Sequence, residues 1–123
     1  MSRRTDRVGD LLRQELAHLL IHRVRDPRVQ LATVTQVDVS PDLHRATVRI
    51  SVLGEEEQRL AAVAALDHAR GFLRSELAHR LEGLRMIPEL VFELDRGAEH
   101  SQRISDLLED LHDHDDHDHD ESS

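Results

Sequence analysis

The chain contains no cysteine, no lysine, no tryptophan and no tyrosine, and only two phenylalanines and three prolines. Each absence excludes something. Without cysteine there is no disulfide framework, no thiolate zinc knuckle and no thiol nucleophile, which suits a reducing compartment. With so few aromatic rings, a platform on which unpaired bases stack is ruled out, and a core must come from leucine, valine and alanine. No apolar run approaches the roughly 20 residues that span a bilayer. The segment Met1–Arg7 is charged and lacks the apolar stretch of a signal peptide, so a soluble, cytoplasmic protein without membrane contact is expected. A length of 123 residues leaves room for one domain.

Charge is present in abundance but unevenly placed. The formal net charge is -9, yet residues 1–98 hold 15 arginines and 15 acids. Residues 99–123 hold 10 acids and Arg103 alone as a base, and so carry the whole excess. The front half leans basic, with 9 arginines against 6 acids over residues 1–54. Such asymmetry says more about partners than the sum does. All 16 basic residues are arginine, whose planar fork suits phosphate, although compositional bias is the plainer reason for the choice.

Hydrophobic periodicity organises the chain. Val8, Leu11, Leu12, Leu16, Leu19 and Leu20 recur at helical spacing, predicting a helix from about Thr5 to Arg23, capped by Thr5 or Asp6 and ended before Asp26-Pro27. Residues 31–39 and 46–52 are rich in β-branched side chains and flank the turn cluster Ser40-Pro41-Asp42-Leu43, which predicts an antiparallel hairpin. Its second strand alternates, placing Arg45, Thr47, Arg49 and Ser51 opposite the apolar face. After Gly54 and three glutamates, a long helical stretch carries a stripe of Leu60, Val63, Ala64, Leu66, Ala69, Phe72, Leu73, Leu77 and Leu81. Gly71 interrupts it, calling for a kink or a close backbone approach, and Gly83 is the expected C-cap. Residues 89–95 read as a third strand and Ala98–Leu111 as a final helix. From His112 onward nothing apolar remains, which predicts a disordered His/Asp-rich tail over residues 112–123. The expected class is α+β: helices covering one face of a three-stranded sheet, with a right-handed crossover from the second strand to the third.

These residues carry a resemblance. Arg7-Val8 leading into Gln14-Glu15-Leu16, Val24-Arg25-Asp26-Pro27-Arg28, Val34 to Leu43, Ala46-Thr47-Val48, Gly71-Phe72-Leu73-Arg74, Leu84-Arg85, Pro88-Glu89-Leu90 and Phe92 resemble, in order and spacing, the ribosome-binding factor A family over nearly all of residues 3–111. The resemblance implies a type II KH-like domain over residues 1–111, in the order α-β-β-α-kink-α-β. It implies an Ala-x-Gly kink, Ala69-Arg70-Gly71, in place of a Gly-x-x-Gly loop. It also implies binding to the small (30S) ribosomal subunit and 16S rRNA, help in late maturation of the rRNA 5′ end region, growth support in the cold, and release aided by a ribosome-associated GTPase. A monomer is expected.

Several side chains are candidates for that contact. A helix start after the kink offers backbone N–H groups to phosphate, with Arg70 and Arg74 one turn apart beside it. Arg3, Arg4, Arg7, Arg25, Arg28, Arg45, Arg49 and Arg85 are the other candidates for phosphate neutralisation, which dominates nucleic-acid affinity. Each alone reads more readily as solvated surface. In the tail, His112, His114, His117 and His119 alternate with aspartates and could bind zinc, nickel or copper weakly. The acidic tail could also compete with RNA for the arginines until its histidines gain charge near pH 6. No phosphate loop, nucleophile elbow or metalloprotease motif occurs, and His18 and His22 lack a third ligand in a known motif, so catalysis is not expected and no cofactor is implied. The alternative function is a protein-interaction or metal-buffering module built on the same fold and tail.

Overall fold

The first helix, α1, runs Arg3–His22 and buries Val8, Leu12, Leu16, Leu19 and Leu20, the stripe that the spacing predicted. Two details differ from the expectation. Leu11 lies off the stripe and is exposed, and Thr5 is buried inside the helix, so neither it nor Asp6 is the cap. Gly9 is the point of closest approach: a Cβ there would stand 2.6 Å from the Val37 carbonyl oxygen. A helix lies this near a strand only where the side chain is missing. The chain then passes through a 3-10 turn, Pro27–Val29, whose N-cap Asp26 accepts from the Arg28 backbone N–H at 2.9 Å.

The sheet has the order β1 (Ala32–Val39), β2 (Arg45–Val52), β3 (Glu89–Leu94). β1 and β2 form the expected antiparallel hairpin, and β3 runs parallel to β2, with Arg45 opposite Glu89 and Ile50 opposite Leu94. The hairpin turn closes on side chains. The Ser40 hydroxyl bonds Asp42 at 2.7 Å, the His44 N–H donates to Asp42 at 3.0 Å, and the Arg45 N–H donates to Ser40 Oγ at 3.0 Å. Leu43 adopts a left-handed φ of 63° there. Ala46, Val48, Ile50 and Val52 point into the core, as alternation requires. In β1 the buried residues are Val34, Val37 and Val39, because a β-bulge inserts Thr35 between Val34 (opposite Ile50) and Gln36 (opposite Arg49). The extra residue switches the side-chain phase by one, which is why β1 alternates only in part.

The long helical stretch is two helices, α2 (Glu56–His68) and α3 (Arg70–Arg80), broken at Ala69. Gly54, at φ 130°, supplies a conformation that L side chains avoid, and Gln58 accepts from the Glu55 N–H at 2.7 Å to tie the start of α2. The kink falls within the expected triplet, but Gly71 serves no close approach, since nothing lies within 4 Å of where its Cβ would be. The buried face also differs from the expected stripe. Ala62, Ala65, Leu66, Leu73 and Leu77 are buried, whereas Leu60 and Phe72 are 54% and 42% exposed and Ala64 faces outward. Alanines let α2 settle close to the sheet, and the break at Ala69 resets the helical phase. Gly83 is not the C-cap: α3 stops at Arg80 with Leu81 in that place, whose N–H bonds the Leu77 carbonyl, and Gly83 lies in the following turn.

The computed structural model describes residues 3–97; the expected helix over residues 98–111 and the His/Asp tail lie outside them. Helices on one face of a mixed three-stranded sheet, in the order α-β-β-α-α-β with a parallel β2–β3 pair, make the α+β, KH-like arrangement. No helix among the described residues is long and apolar enough to cross a membrane.

Candidate nucleic-acid interface

The candidate arginines divide by what their side chains already hold. Arg28 is committed to Asp26, with Nε at 3.0 Å and 3.2 Å from its two oxygens and a terminal nitrogen at 2.6 Å. The side-chain bond from Arg28, then its backbone N–H, pull the Asp26 carboxyl down from 3.8 to about 2. Arg49, at the centre of the sheet's outer face, bonds Asp38 at 3.1 Å and Glu93 at 3.5 Å. Arg74 donates to the Ile87 carbonyl at 2.9 Å and so straps α3 to the segment entering β3. These three cations work inside the fold. By contrast, the side chains of Arg3, Arg4, Arg7, Arg25, Arg45, Arg70 and Arg85 are exposed and have no hydrogen-bond or ion-pair partner among the described residues.

Tertiary structure groups some of them. The 3-10 turn packs against α2, and His68, the last residue of α2, is close enough to Asp26 to add to its depressed pKa. The turn thus sets Arg28 beside Gln58 and Ala61 of α2, while Ala69, Arg70 and Gly71 lie past the far end of that helix. Arg3, Arg4 and Arg7 occupy the turns ahead of Gly9, which rests on Val37 and Val39 at the hairpin end of β1. Arg45 begins β2 at the same hairpin. The outer sheet face is not a basic surface: Asp38, Glu89 and Glu93 outnumber Arg45 and Arg49 there.

Comparison with known proteins decides what this arrangement belongs to. Residues 4–108 match the model of the family described as ribosome-binding factor A. The chain belongs to the ribosome-binding factor A family. A relative of that name from Staphylococcus saprophyticus subsp. saprophyticus is 40% identical over 112 residues, covering 91% of this chain and 97% of the relative. The crystal structure of ribosome-binding factor A from Thermus thermophilus superposes with a TM-score of 0.67 at 31% identity, covering 76% of this chain and 97% of that one. A homology model of Thermus thermophilus ribosome-binding factor A, as fitted into the electron cryo-microscopy map of its complex with 30S, gives a TM-score of 0.60 at 33% identity, over 71% of this chain and 90% of that one.

Within the family frame, Ala69-Arg70-Gly71 is the helix break, as the resemblance implied. No group of three or more histidines and carboxylates suited to a metal occurs among the described residues; the histidines of the tail lie outside them. The rings of His18 and His22 lie with centroids 4.4 Å apart, tilted at 40° to each other. The sequence reading missed Gly9, whose role shows in no periodicity, and counted Leu60 and Ala64 as core. The only available signal was that α2 carries apolar residues on more of its circumference than one packing face needs.

Proposed function

We propose that this chain is a cytoplasmic, non-catalytic assembly factor that binds the small ribosomal subunit as a monomer. In this reading it contacts 16S rRNA and assists late maturation of the rRNA 5′ end region. The observation that carries the reading is the likeness, across most of both chains, to a Thermus thermophilus protein fitted into a 30S complex. Affinity comes from phosphate neutralisation by Arg70 at the kink and by Arg3, Arg4, Arg7, Arg25, Arg45 and Arg85, the exposed cations with no partner among the described residues. With no aromatic platform, recognition rests on RNA shape and backbone. The action is steric: the domain holds an rRNA segment in an arrangement that permits maturation, and it leaves afterwards with help from a ribosome-associated GTPase.

Sucrose-gradient fractionation tests this. The chain should sediment with free 30S particles and be absent from 70S ribosomes, and cells lacking it should accumulate 16S precursor with an unprocessed 5′ end. A chain that stays at the top of the gradient, or whose sedimentation follows added zinc, would sink the reading in favour of an interaction or metal-buffering module.

A further inference from the structure

The face of α2 that leaves the core is not a plain solvent face. Leu60 and Ala64 are exposed on it, and with Val63, Phe92 and Leu94, which pack on or within the edge of the core, they line an open groove of about 420 Å³ rimmed by Asp67, Glu93 and Arg96. Among the described residues β3 pairs only with β2 in the sheet, so its other edge borders this groove. A half-exposed leucine beside an open strand edge is apolar surface that a small soluble domain gains by covering.

The chain itself leaves the fold at this place. Arg96 lines the groove and clamps Glu56, the first residue of α2, with two bonds of 2.9 Å and 2.6 Å. Asp95 is held by the Thr35 hydroxyl at 2.6 Å and by the Gly97 N–H at 2.9 Å. The exit at Gly97 is thereby pinned beside the N-terminal end of α2. The residues that follow carry Ile104, Leu107, Leu108 and Leu111 and almost nothing else apolar. At about 100° per residue these four fall on one side of a helix, and Asp106 and Glu109 fall opposite. From Ile104 to Leu111 such a helix advances about 10 Å, the same advance as from Leu60 to Asp67 along α2. The short link 98–103 keeps the stripe at an effective concentration on the order of millimolar at the groove, well above what a second copy or another protein reaches.

We infer that residues 104–111 dock their leucine stripe into the groove between α2 and the free edge of β3, closing this face of the domain with the chain's own C-terminal segment. The inference does not depend on ribosome binding.

The absence of cysteine makes the test direct. A nitroxide is attached to Ser105→Cys in the full-length, isotope-labelled chain, and amide intensities are compared with those of the reduced label. Leu60, Val63, Ala64 and Leu94 should lose most of their intensity, and the same label in a Leu107→Asp/Leu108→Asp chain should restore it. Oxidation of an Ala64→Cys/Leu108→Cys chain should give an intramolecular crosslink. Broadening confined to other surfaces, or none, overturns the inference. So does broadening carried by an unlabelled-isotope, nitroxide-bearing chain to a second, isotope-labelled copy, which would make the occupant another molecule. Groove amides indifferent to the nitroxide but shifted by an rRNA fragment would assign the groove to RNA and overturn it equally.

Discussion

Two glycines that look alike in the sequence do opposite things in the structure. Gly9 sits inside α1 and Gly71 at the second position of α3; in a helix interior glycine costs roughly 1 kcal/mol relative to alanine. At Gly9 an added Cβ would meet the Val37 carbonyl oxygen at 2.6 Å, a backbone atom that cannot swing aside. Gly9→Ala should therefore lower stability by about 1–3 kcal/mol despite the gain in helix propensity, as read by urea unfolding. At Gly71 the space is open. Gly71→Ala should raise stability by up to about 1 kcal/mol, and a simultaneous loss of rRNA affinity would mark this glycine as kept for contact rather than for folding. Asp26 offers a pH test at the same scale. Its folded pKa of about 2 lies below the usual 3.8, because Arg28 bonds the charged form. Its contribution is complete above the unfolded pKa and is lost as the pH falls through the folded one. The stability gap between the parent chain and Asp26→Asn should thus be constant near neutrality, shrink below about pH 4 and be gone below about pH 2. A gap that persists in acid would mean the turn does not need that carboxylate.

At the scale of elements, the phase of the two central helices is the point that periodicity misread. Leu73 is fully buried, whereas its neighbour Phe72 is 42% exposed. Leu73→Ala should cost about 2–5 kcal/mol and Phe72→Ala about 1 kcal/mol or less, the reverse of the order that side-chain size alone predicts. Equal losses in denaturant unfolding would show that α3 is rotated from the orientation described. The misreading has a physical cause. A single stripe cannot run across both helices, because the break at Ala69 ends the phase relation between them, and α2 packs through Ala62, Ala65 and Leu66 rather than through Leu60 and Ala64. The strands were more legible. β2 alternates without interruption, while the valines of β1 change phase at a bulge whose extra residue, Thr35, is anchored to Asp95 sixty residues away.

The whole molecule presents a charge distribution that its net value conceals. Seven exposed arginines have no partner within the described domain, while Arg28, Arg49 and Arg74 are held by the fold. Binding to 16S rRNA should weaken linearly on a log–log plot against salt. Arg70→Ala should lower the magnitude of that slope by about one, whereas Arg49→Ala, which removes a cation already neutralised by Asp38 and Glu93, should leave it unchanged. A filter-binding titration at several salt concentrations distinguishes the two. An affinity indifferent to salt would refute the phosphate-contact model altogether.

Element order, the hairpin, the kinked helix pair and the separation of a neutral domain from an acidic tail were all determined by the sequence alone, because periodicity, turn residues and charge blocks are local properties. The family was legible too, through motifs spread along the chain. The unevenness of charge, with which RNA binding first became tenable against a net of -9, was already in the composition. Which arginines remain available was decided only by tertiary structure, since Asp38 and Glu93 reach Arg49 from different strands and Ile87 reaches Arg74 from beyond a loop. The same holds for Gly9 and for the groove beside β3. Close approach and unfilled apolar surface are relations between elements distant in the chain, and no local pattern records them.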